Sequence, residues 1–199
     1  PEEIKRHSSV CTATGSIQLD GLKVNLLDTP GMFDFAGGMI QGISAADCVM
    51  ITVSGKSGVR VGTKKAYRAA AGKPRMFVVT KLDDENANFY NVLTDLKSTF
   101  GPSVCPVVVP VIVDRKVDSY INLIEMKAYR YDADGKAQEI PMPTSEVSEK
   151  LSYRVDGLIQ AFSEAIAETD ETLFEKFFSG EEFTQKERVD GIHKGMRDG

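Results

Sequence analysis

Two apolar segments of this chain each end in a short polar motif, and this pairing limits the folds and the chemistry open to it. The buried-type strand pattern Lys23–Leu27 leads into Asp28-Thr29-Pro30-Gly31, an acid and a hydroxyl before a tight turn. The second strand pattern, Arg75–Val79, leads into Thr80-Lys81-Leu82-Asp83. Two strand ends with these residues, in this order and separated by strand–helix units, predict a guanine nucleotide site.

Strand and helix patterns alternate along the chain as far as Gly101. Asp20-Gly21 predicts a hairpin between strands at Val10–Leu19 and Lys23–Leu27. The continuous apolar run Cys48–Val53 is typical of a parallel strand covered on both faces. Helices are expected over residues 36–44, 61–71 and 89–100, where apolar residues recur at helical spacing. This alternation predicts an α/β layer architecture.

The pattern changes after Gly101, where we predict a boundary and a second, α+β subdomain. Three prolines punctuate the apolar run Val107–Val113, which predicts an edge strand or a strand pair. Residues 126–131 and 136–140 flank Asp132-Ala133-Asp134-Gly135, a second hairpin signal. A helix should follow, with Thr144 or Ser145 as its cap, Glu146 in its first turn, and an apolar stripe of Val147, Leu151, Val155, Leu158, Phe162 and Ile166. The stretch from Asp170 to Glu187 is predicted to be helical and acidic. The acidic run Glu164–Glu187 could be a docking surface, but we read it as a solvated helix face.

The composition fits a soluble α/β protein of 199 residues, with 42% hydrophobic and 27% charged residues. The net charge of -5 argues against non-specific binding of nucleic acid by the chain as a whole. No apolar run approaches the roughly 20 residues that span a bilayer. No signal peptide is visible, and the start at Pro1 predicts a piece of a longer protein.

The cysteines and histidines do not form a recognisable site. Cys11, Cys48 and Cys105 are odd in number and set among apolar neighbours, so we expect buried, reduced thiols in a cytosol. His7 and His193 are far apart in the sequence, which excludes a histidine-rich metal site and gives little support to a Ser-His-Asp triad.

The first motif has the residues that the phosphate end of GTP requires. Asp28 offers a carboxylate that reaches Mg²⁺ through water, and Gly31 lets a backbone amide approach the γ-phosphate closely. The alternative is that Thr29-Pro30-Gly31 only makes a turn after a core strand.

The second motif has the residues that guanine requires. Asp83 can accept from the ring N1–H and the 2-amino group, whereas adenine would leave the carboxylate unpaired. The aliphatic stem of Lys81 can cover the base. The alternative is that Lys81 and Asp83 are ordinary charges at a strand end, but the two motifs together favour the nucleotide site.

Longer stretches resemble the GTPase domain of elongation factor G and its paralogues, over nearly the whole chain. Pro1–Arg6 resembles the run into the first switch of that family, and Phe33-Asp34-Phe35 extends the resemblance beyond the first motif. Ala87-Asn88-Phe89-Tyr90 is a more specific signature than either short motif. The resemblance to the family's inserted subdomain rests on Met126-Lys127-Ala128, Ile140-Pro141, Phe174-Glu175-Lys176-Phe177 and Gly180-Glu181-Glu182.

The resemblance implies a partial P-loop NTPase (translational GTPase) fold that lacks the P-loop strand and carries an inserted α+β subdomain. It implies a GTPase core at 1–101, the inserted subdomain at 102–195, and the return to the core at 196–199. It also implies GTP and Mg²⁺ as cofactors of the parent protein. The implied GTP-binding residues are Asp28, Thr29, Pro30, Gly31, Thr80, Lys81 and Asp83, and the implied Mg²⁺ ligands are Ser9 and Asp28.

By the same resemblance, the parent is a cytoplasmic elongation factor that acts on the ribosome and couples GTP hydrolysis to translocation or a related step. The inserted subdomain would meet the ribosomal stalk protein. No membrane partner and no sequence-specific nucleic acid binding are expected. Two other interpretations stay open: a paralogue that binds GTP as a slow or non-hydrolysing switch, and a nucleotide-free interaction domain centred on residues 102–195.

Three departures from the family concern the site. The first switch reads Arg6-His7-Ser8-Ser9-Val10, in which Ser9 keeps a hydroxyl for Mg²⁺ and His7 is expected at the surface rather than in catalysis. Met32 stands where the family has a histidine that orients water, and a thioether cannot take that role, so hydrolysis requires another group. Thr80 replaces an asparagine, but Rho-type small GTPases have the same Thr-Lys-Leu-Asp.

A further departure is that no Gly-x-x-x-x-Gly-Lys-Ser/Thr loop occurs in these residues. About five charge-assisted bonds to phosphate, worth roughly 1.5–3 kcal/mol each, would be missing. We therefore expect residues 1–199 alone to be inactive and to bind GTP too weakly to detect at micromolar concentration. In the family's strand order, the missing strand lies between those ending at Asp28 and at Val53. We expect the isolated fragment to rearrange or to self-associate at the edges left open there.

Overall fold

The computed structural model describes residues 2–114, 116–143 and 155–198, which form a mixed α/β fold. They form two compact units. The first contains residues 2–52 and 60–78, and the second contains residues 53–59 and the described residues of 79–198. The helices are α1 (Glu2–Arg6), α2 (Ala36–Ala45), α3 (Val61–Ala69), α4 (Phe89–Phe100), α5 (Val155–Ala167), α6 (Glu171–Phe178) and α7 (Gln185–Asp198), with a 3₁₀ turn at Phe33–Phe35. The strands are β1 (Ala13–Leu19), β2 (Leu22–Asp28), β3 (Val49–Ser54), β4 (Arg75–Thr80), β5 (Val108–Val113), β6 (Lys116–Asn122), β7 (Lys127–Tyr131) and β8 (Ala137–Ile140).

The predicted first hairpin is confirmed. β1 and β2 pair antiparallel, from Ala13 opposite Asp28 to Leu19 opposite Leu22. Asp20 and Gly21 have φ values of 48° and 80°. Positive φ at both central residues is what a two-residue type I′ turn requires, which is why Asp-Gly occurs there.

The prediction that the second strand of this hairpin is buried is wrong. Leu22 is 70% exposed and Leu26 is 44% exposed. Ile17 and Leu19 on β1 share their face and are also about half exposed. The two strands form a sheet of their own, and no third strand pairs with them within the described residues. Apolar residues on one face of a two-stranded sheet therefore stay open to solvent.

β3 and β4 form a second two-stranded sheet. The N–H of Val49 donates to Pro74 O at 2.9 Å, and the N–H of Gly55 donates to Thr80 O at 2.7 Å. Since the paired residue numbers rise together, the strands are parallel. Burial alternates along β3, where Met50 is 59% exposed, so the prediction of a strand covered on both faces is wrong. One face packs into the core of the first unit, which contains Met39, Ile43, Val49, Ile51, Ala66, Tyr67, Ala70 and Phe77.

The second unit contains a four-stranded antiparallel sheet in the order β5-β6-β7-β8. β5 lies at the edge and β7 and β8 form a hairpin, as predicted. β6 was not predicted, because its buried Ser119 interrupts the apolar pattern and a bulge in its pairing with β5 shifts the register.

Helices α4 and α5 supply the rest of this unit's core. The predicted apolar face of α4 is confirmed, because Phe89, Val92, Leu93 and Leu96 are buried. Phe162 of α5 is fully buried. The Tyr90 hydroxyl donates to Pro110 O at 3.2 Å, and burial raises the pKa of Tyr90. The described part of the predicted stripe on α5 is buried, whereas Thr144, Ser145, Glu146, Val147 and Leu151 lie outside the described residues.

The prediction that the acidic C-terminal stretch is helical is confirmed, and it contains α6 and the first turn of α7. Asp170 caps α6 by accepting from the N–H of Thr172 at 3.0 Å, and Gly180 follows the helix with φ 77°. Glu187 accepts from Thr184 N at 2.7 Å and from Lys176 Nζ at 2.9 Å. Hydrogen bonding to Lys176 and Thr184 lowers the pKa of Glu187 to about 2.

The prediction of buried cysteines is wrong for two of the three. Cys11 and Cys48 are exposed, whereas Cys105 is partly buried, and all three are free thiols. Cys11 precedes β1 and Cys48 precedes β3, so both lie in connections rather than in the core. Burial raises the pKa of the Cys105 thiol. The predicted boundary near Gly101 stays a prediction.

Candidate functional site

The first motif lies where β2 ends. Asp28 is the last residue of the strand, and its exposed carboxylate has no hydrogen bond or ion pair within the described residues. The ring of Pro30 is fully buried, which anchors the turn. At Gly31 an added Cβ would meet no atom within 4 Å. The backbone at Gly31 therefore borders open space, as the close approach of a phosphate requires.

Helix α2 holds this turn through two glycines. A Cβ on Gly42 would lie 2.4 Å from Thr29 Cγ2, and one on Gly38 would lie 3.2 Å from Pro30 Cδ. The Thr12 hydroxyl donates to Gly38 O at 3.3 Å. The absence of side chains on this face of α2 lets Thr29 and Pro30 pack directly on the helix backbone.

The segment that carries Ser9 is held by a carboxylate on α1. Glu3 Oε1 accepts from the N–H of Val10 at 2.7 Å and of Cys11 at 3.1 Å. These backbone hydrogen bonds lower the pKa of Glu3. His7 has φ 51° and is exposed, as expected. Ser9 is partly buried, and its hydroxyl has no hydrogen bond within the described residues.

Met32 is 45% exposed, and its sulfur accepts a hydrogen bond from the Ser8 hydroxyl at 3.5 Å. The next residue, Phe33, lies under the ammonium of Lys65, which is 4.7 Å from the ring centroid. Neither a thioether nor a phenyl ring transfers protons. These two side chains therefore offer no general base beside Gly31.

The second motif begins at the end of β4. The Thr80 hydroxyl donates to Val53 O at 3.5 Å, at the limit of a hydrogen bond. Lys81 has φ 56°, a left-handed conformation that is uncommon for a lysine. Asp83 is exposed, and its carboxylate has no hydrogen bond or ion pair within the described residues. Both of its oxygens are therefore available to a ligand.

The residues after Asp83 fold back in a turn that sequence reasoning did not identify. Asp84 Oδ1 accepts from Asn86 N at 2.9 Å, and Asp84 Oδ2 is 3.2 Å from Lys56 Nζ. The backbone hydrogen bond from Asn86 and the bond from Lys56 lower the pKa of Asp84. Asn88 caps α4 by accepting from Asn91 N at 3.0 Å. This cap could have been predicted from the sequence, because Asn88 stands immediately before the apolar helix pattern that begins at Phe89.

The donor types fit the implied cofactors. Asp28 and Ser9 offer the hard oxygen atoms that Mg²⁺ prefers, and two such ligands suit an ion that keeps most of its waters. Within the described residues, no group of three or more His, Cys, Asp or Glu side chains could hold a metal ion by itself. The free carboxylate of Asp83 fits the two N–H donors of guanine. No helix of the described segments is long and apolar enough to cross a bilayer.

The chain is similar in sequence to one protein family and to two curated proteins that are all described as elongation factors. The sequence matches the family described as the elongation factor Tu GTP binding domain over residues 1–185. It is 34% identical, over 199 residues, to an elongation factor G-like protein of Mycobacterium tuberculosis, covering 99% of this chain and 27% of that protein. It is 32% identical, over 201 residues, to an elongation factor G-like protein of Thermotoga maritima, covering 100% of this chain and 28% of that protein.

A solved structure is also similar over the whole chain. The crystal structure of a protein from Thermus thermophilus matches with a TM-score of 0.86 and 38% sequence identity, covering 100% of this chain and 29% of that one. This chain therefore spans between 27% and 29% of the length of these relatives.

The contact between Thr29 and α2 predicts opposite outcomes for two glycines of the same helix. Gly42→Ala forces a Cβ against the stiff Thr29 side chain, whereas Gly37 has open space around it. We expect Gly42→Ala to be less stable than Gly37→Ala by about 1–3 kcal/mol, measured by urea unfolding. Gly37→Ala serves as the control, since it gains up to about 1 kcal/mol from helix propensity alone. Equal unfolding free energies for the two variants would contradict the packing described above.

Proposed function

The chain belongs to the elongation factor Tu GTP-binding domain family, and we propose that it is the part of an elongation factor G-like GTPase that recognises guanine and the γ-phosphate. It is a translational GTPase domain fragment, since its elongation factor G-like relatives match over 99% of its length. The family implies GTP, with Mg²⁺, as the ligand of the parent protein and GTP hydrolysis as its activity.

The observation that carries this proposal is the free carboxylate at the end of β4. Asp83 follows a left-handed Lys81 and makes no bond to the described residues. In the proposed complex, Asp83 accepts from N1–H and the 2-amino group of guanine, and Thr80 and Lys81 border the base. A carboxylate in this role rejects adenine, which presents no matching donors.

At the phosphate end, we propose that Asp28 and Ser9 hold Mg²⁺ and that the backbone of Thr29, Pro30 and Gly31 faces the γ-phosphate. The open space at Gly31 supports this assignment. In P-loop GTPases, a strand-end aspartate helps to hold the Mg²⁺ that neutralises the charge of the phosphates, and Asp28 would take this role here. Asp28 and Asp83 would then serve opposite ends of one nucleotide.

The remaining parts of the proposal rest on the family alone. We propose that the fold is a P-loop NTPase core without its phosphate-loop strand in residues 1–101, followed by an inserted α+β subdomain in 102–195 and the return to the core at 196–199. The parent would act on the ribosome in the cytoplasm, coupling GTP hydrolysis to translocation. Its inserted subdomain would contact the stalk protein.

A second candidate function is a GTP-dependent switch that hydrolyses slowly. Met32 favours it, because its sulfur is bonded to Ser8 and carries no group that orients or deprotonates water. The parent would then bind GTP and the ribosome, and would stay in its GTP form until another group supplies catalysis.

The separate hairpin supports a proposal about the isolated residues 1–199. Its apolar face is exposed, and no other strand pairs with it in the described segments. Exposed strand edges of this kind are templates for pairing with another chain. We propose that the isolated fragment self-associates through β1 and β2.

Nucleotide specificity tests the role of Asp83 in the full-length protein. Asp83→Asn puts an amide donor opposite the 2-amino group of guanine but opposite the 2-oxo acceptor of xanthine. We expect the affinity for GDP to fall about 10- to 100-fold while the affinity for XDP rises, measured with fluorescent nucleotides. Glu175→Gln, at an exposed acid on α6, should leave both affinities unchanged. An Asp83→Asn variant that still prefers GDP would refute the proposed role.

Single-turnover GTP hydrolysis tests the role of Met32, again in the full-length protein with and without ribosomes. Met32→His adds a side chain that can orient water, so we expect the rate to rise by about 10² to 10⁴. Met32→Leu is the control, since it keeps an apolar side chain and should leave the rate unchanged. If Met32→His hydrolyses no faster than wild type, Met32 does not limit the reaction.

The polypeptide of residues 1–199 should bind GTP weakly, because its sequence contains no phosphate loop. Titration with a labelled GTP analogue up to micromolar concentration should give no saturable signal, while the full-length protein should saturate. The lost phosphate contacts account for several orders of magnitude in affinity. Sub-micromolar binding to residues 1–199 would show that the described residues suffice.

A further inference from the structure

The loop after β3 bridges both ends of the turn that carries Asp83. The N–H of Gly55 donates to Thr80 O at 2.7 Å, just before Lys81. The carbonyl of Gly55 accepts from the N–H of Asn88 at 2.9 Å, just after the turn ends. One buried residue therefore closes the seven-residue loop 81–87 with its own two backbone groups.

The next residue reaches the middle of the same turn. Lys56 Nζ lies 3.2 Å from Asp84 Oδ2, and the two side chains are 52% and 32% exposed. Asp84 Oδ1 in turn accepts from Asn86 N, so Lys56 contacts a carboxylate that already shapes the backbone. The ion pair between Lys56 and Asp84 therefore adds a side-chain contact between the loop and the turn.

We propose that Gly55 and Lys56 form a clamp that positions Asp83 for guanine, with Lys56 acting through Asp84. The clamp is a positioning device that does not touch the base, and it rests on the proposed role of Asp83. Two physical reasons support it.

The first reason is conformational. Lys81 is held at φ 56°, and a lysine stays in this left-handed region only where the surroundings determine its backbone. The bonds from Gly55 fix the residues on both sides of the turn. Gly55 also packs closely, since a Cβ there would lie 2.8 Å from Leu82 Cδ2 and 3.1 Å from Thr80 O.

The second reason is electrostatic. Asp83, Asp84 and Glu85 are three consecutive acids. Repulsion between neighbouring carboxylates turns them away from each other, and the ion pair with Lys56 holds Asp84 on the side of the loop. The Asp83 carboxylate is then free to point away from Asp84. The charge of Asp84 is balanced by Lys56, so it repels Asp83 less.

The test compares GDP with IDP in the full-length protein, because IDP lacks the 2-amino group that Asp83 accepts from. The wild type should bind GDP more tightly than IDP. Lys56→Gln should lower this preference about 1.5- to 5-fold, the range expected for an exposed ion pair. Lys56→Arg should keep the preference, because it restores the cation. Lys64→Gln removes an exposed lysine elsewhere and should change nothing.

A double-mutant cycle separates the clamp from a general loss of charge. In an Asp84→Asn background, Lys56→Gln should have no further effect on the ratio of the two dissociation constants. Gly55→Val adds a side chain that collides with Leu82 and Thr80, so it should lower the preference for GDP over IDP. Circular dichroism checks that this variant is folded.

Two outcomes would contradict the proposal, and they can be told apart. If Lys56→Gln weakens GDP and IDP equally, or acts undiminished in the Asp84→Asn background, the clamp does not position Asp83 and the inference is wrong. If the wild type itself does not distinguish GDP from IDP, the proposed guanine-binding role of Asp83 fails first.

Discussion

The hydrogen bonds between β3 and β4 run from Val49 and Pro74 at one end to Gly55 and Thr80 at the other. Because the strands are parallel, the segments that follow β3 and β4 leave the sheet at the same edge. The loop after β3 and the turn after β4 therefore meet, and one residue, Gly55, bonds to both ends of that turn. This pairing therefore fixes both ends of the turn that carries Lys81 and Asp83.

The two motifs use different means to hold a short polar turn in place. At Thr29 and Pro30, the turn packs on a helix face from which side chains are absent, so sterics set its position. At Asp83, backbone hydrogen bonds and one ion pair set it. In both places the carboxylates that we propose bind the nucleotide, Asp28 and Asp83, make no hydrogen bond or ion pair within the described residues, while their neighbours are fixed. Polar groups left free beside a fixed backbone are what a preorganised ligand site requires.

Much of the local structure follows from the sequence. Asp20-Gly21 predicted the position of the first hairpin because few other dipeptides tolerate two positive φ values. The apolar spacing from Phe89 to Leu96 identified α4 because that face is buried. Burial was harder to predict, as the exposed Leu26, Met50 and Cys48 show, since it depends on which surfaces meet in three dimensions. The contact of Lys56 with Asp84 joins residues far apart in sequence, so no local sequence pattern predicts it.

In the function proposed above, the carboxylates of Asp28 and Asp83 bind opposite ends of one guanine nucleotide. A crystal structure of the full-length protein with Mg²⁺ and a non-hydrolysable GTP analogue tests it directly. We expect Asp83 oxygens about 2.7–3.2 Å from guanine N1 and the 2-amino nitrogen, with Asp28 linked to Mg²⁺ through water. A nucleotide bound away from either carboxylate would show that the two side chains do not share one ligand.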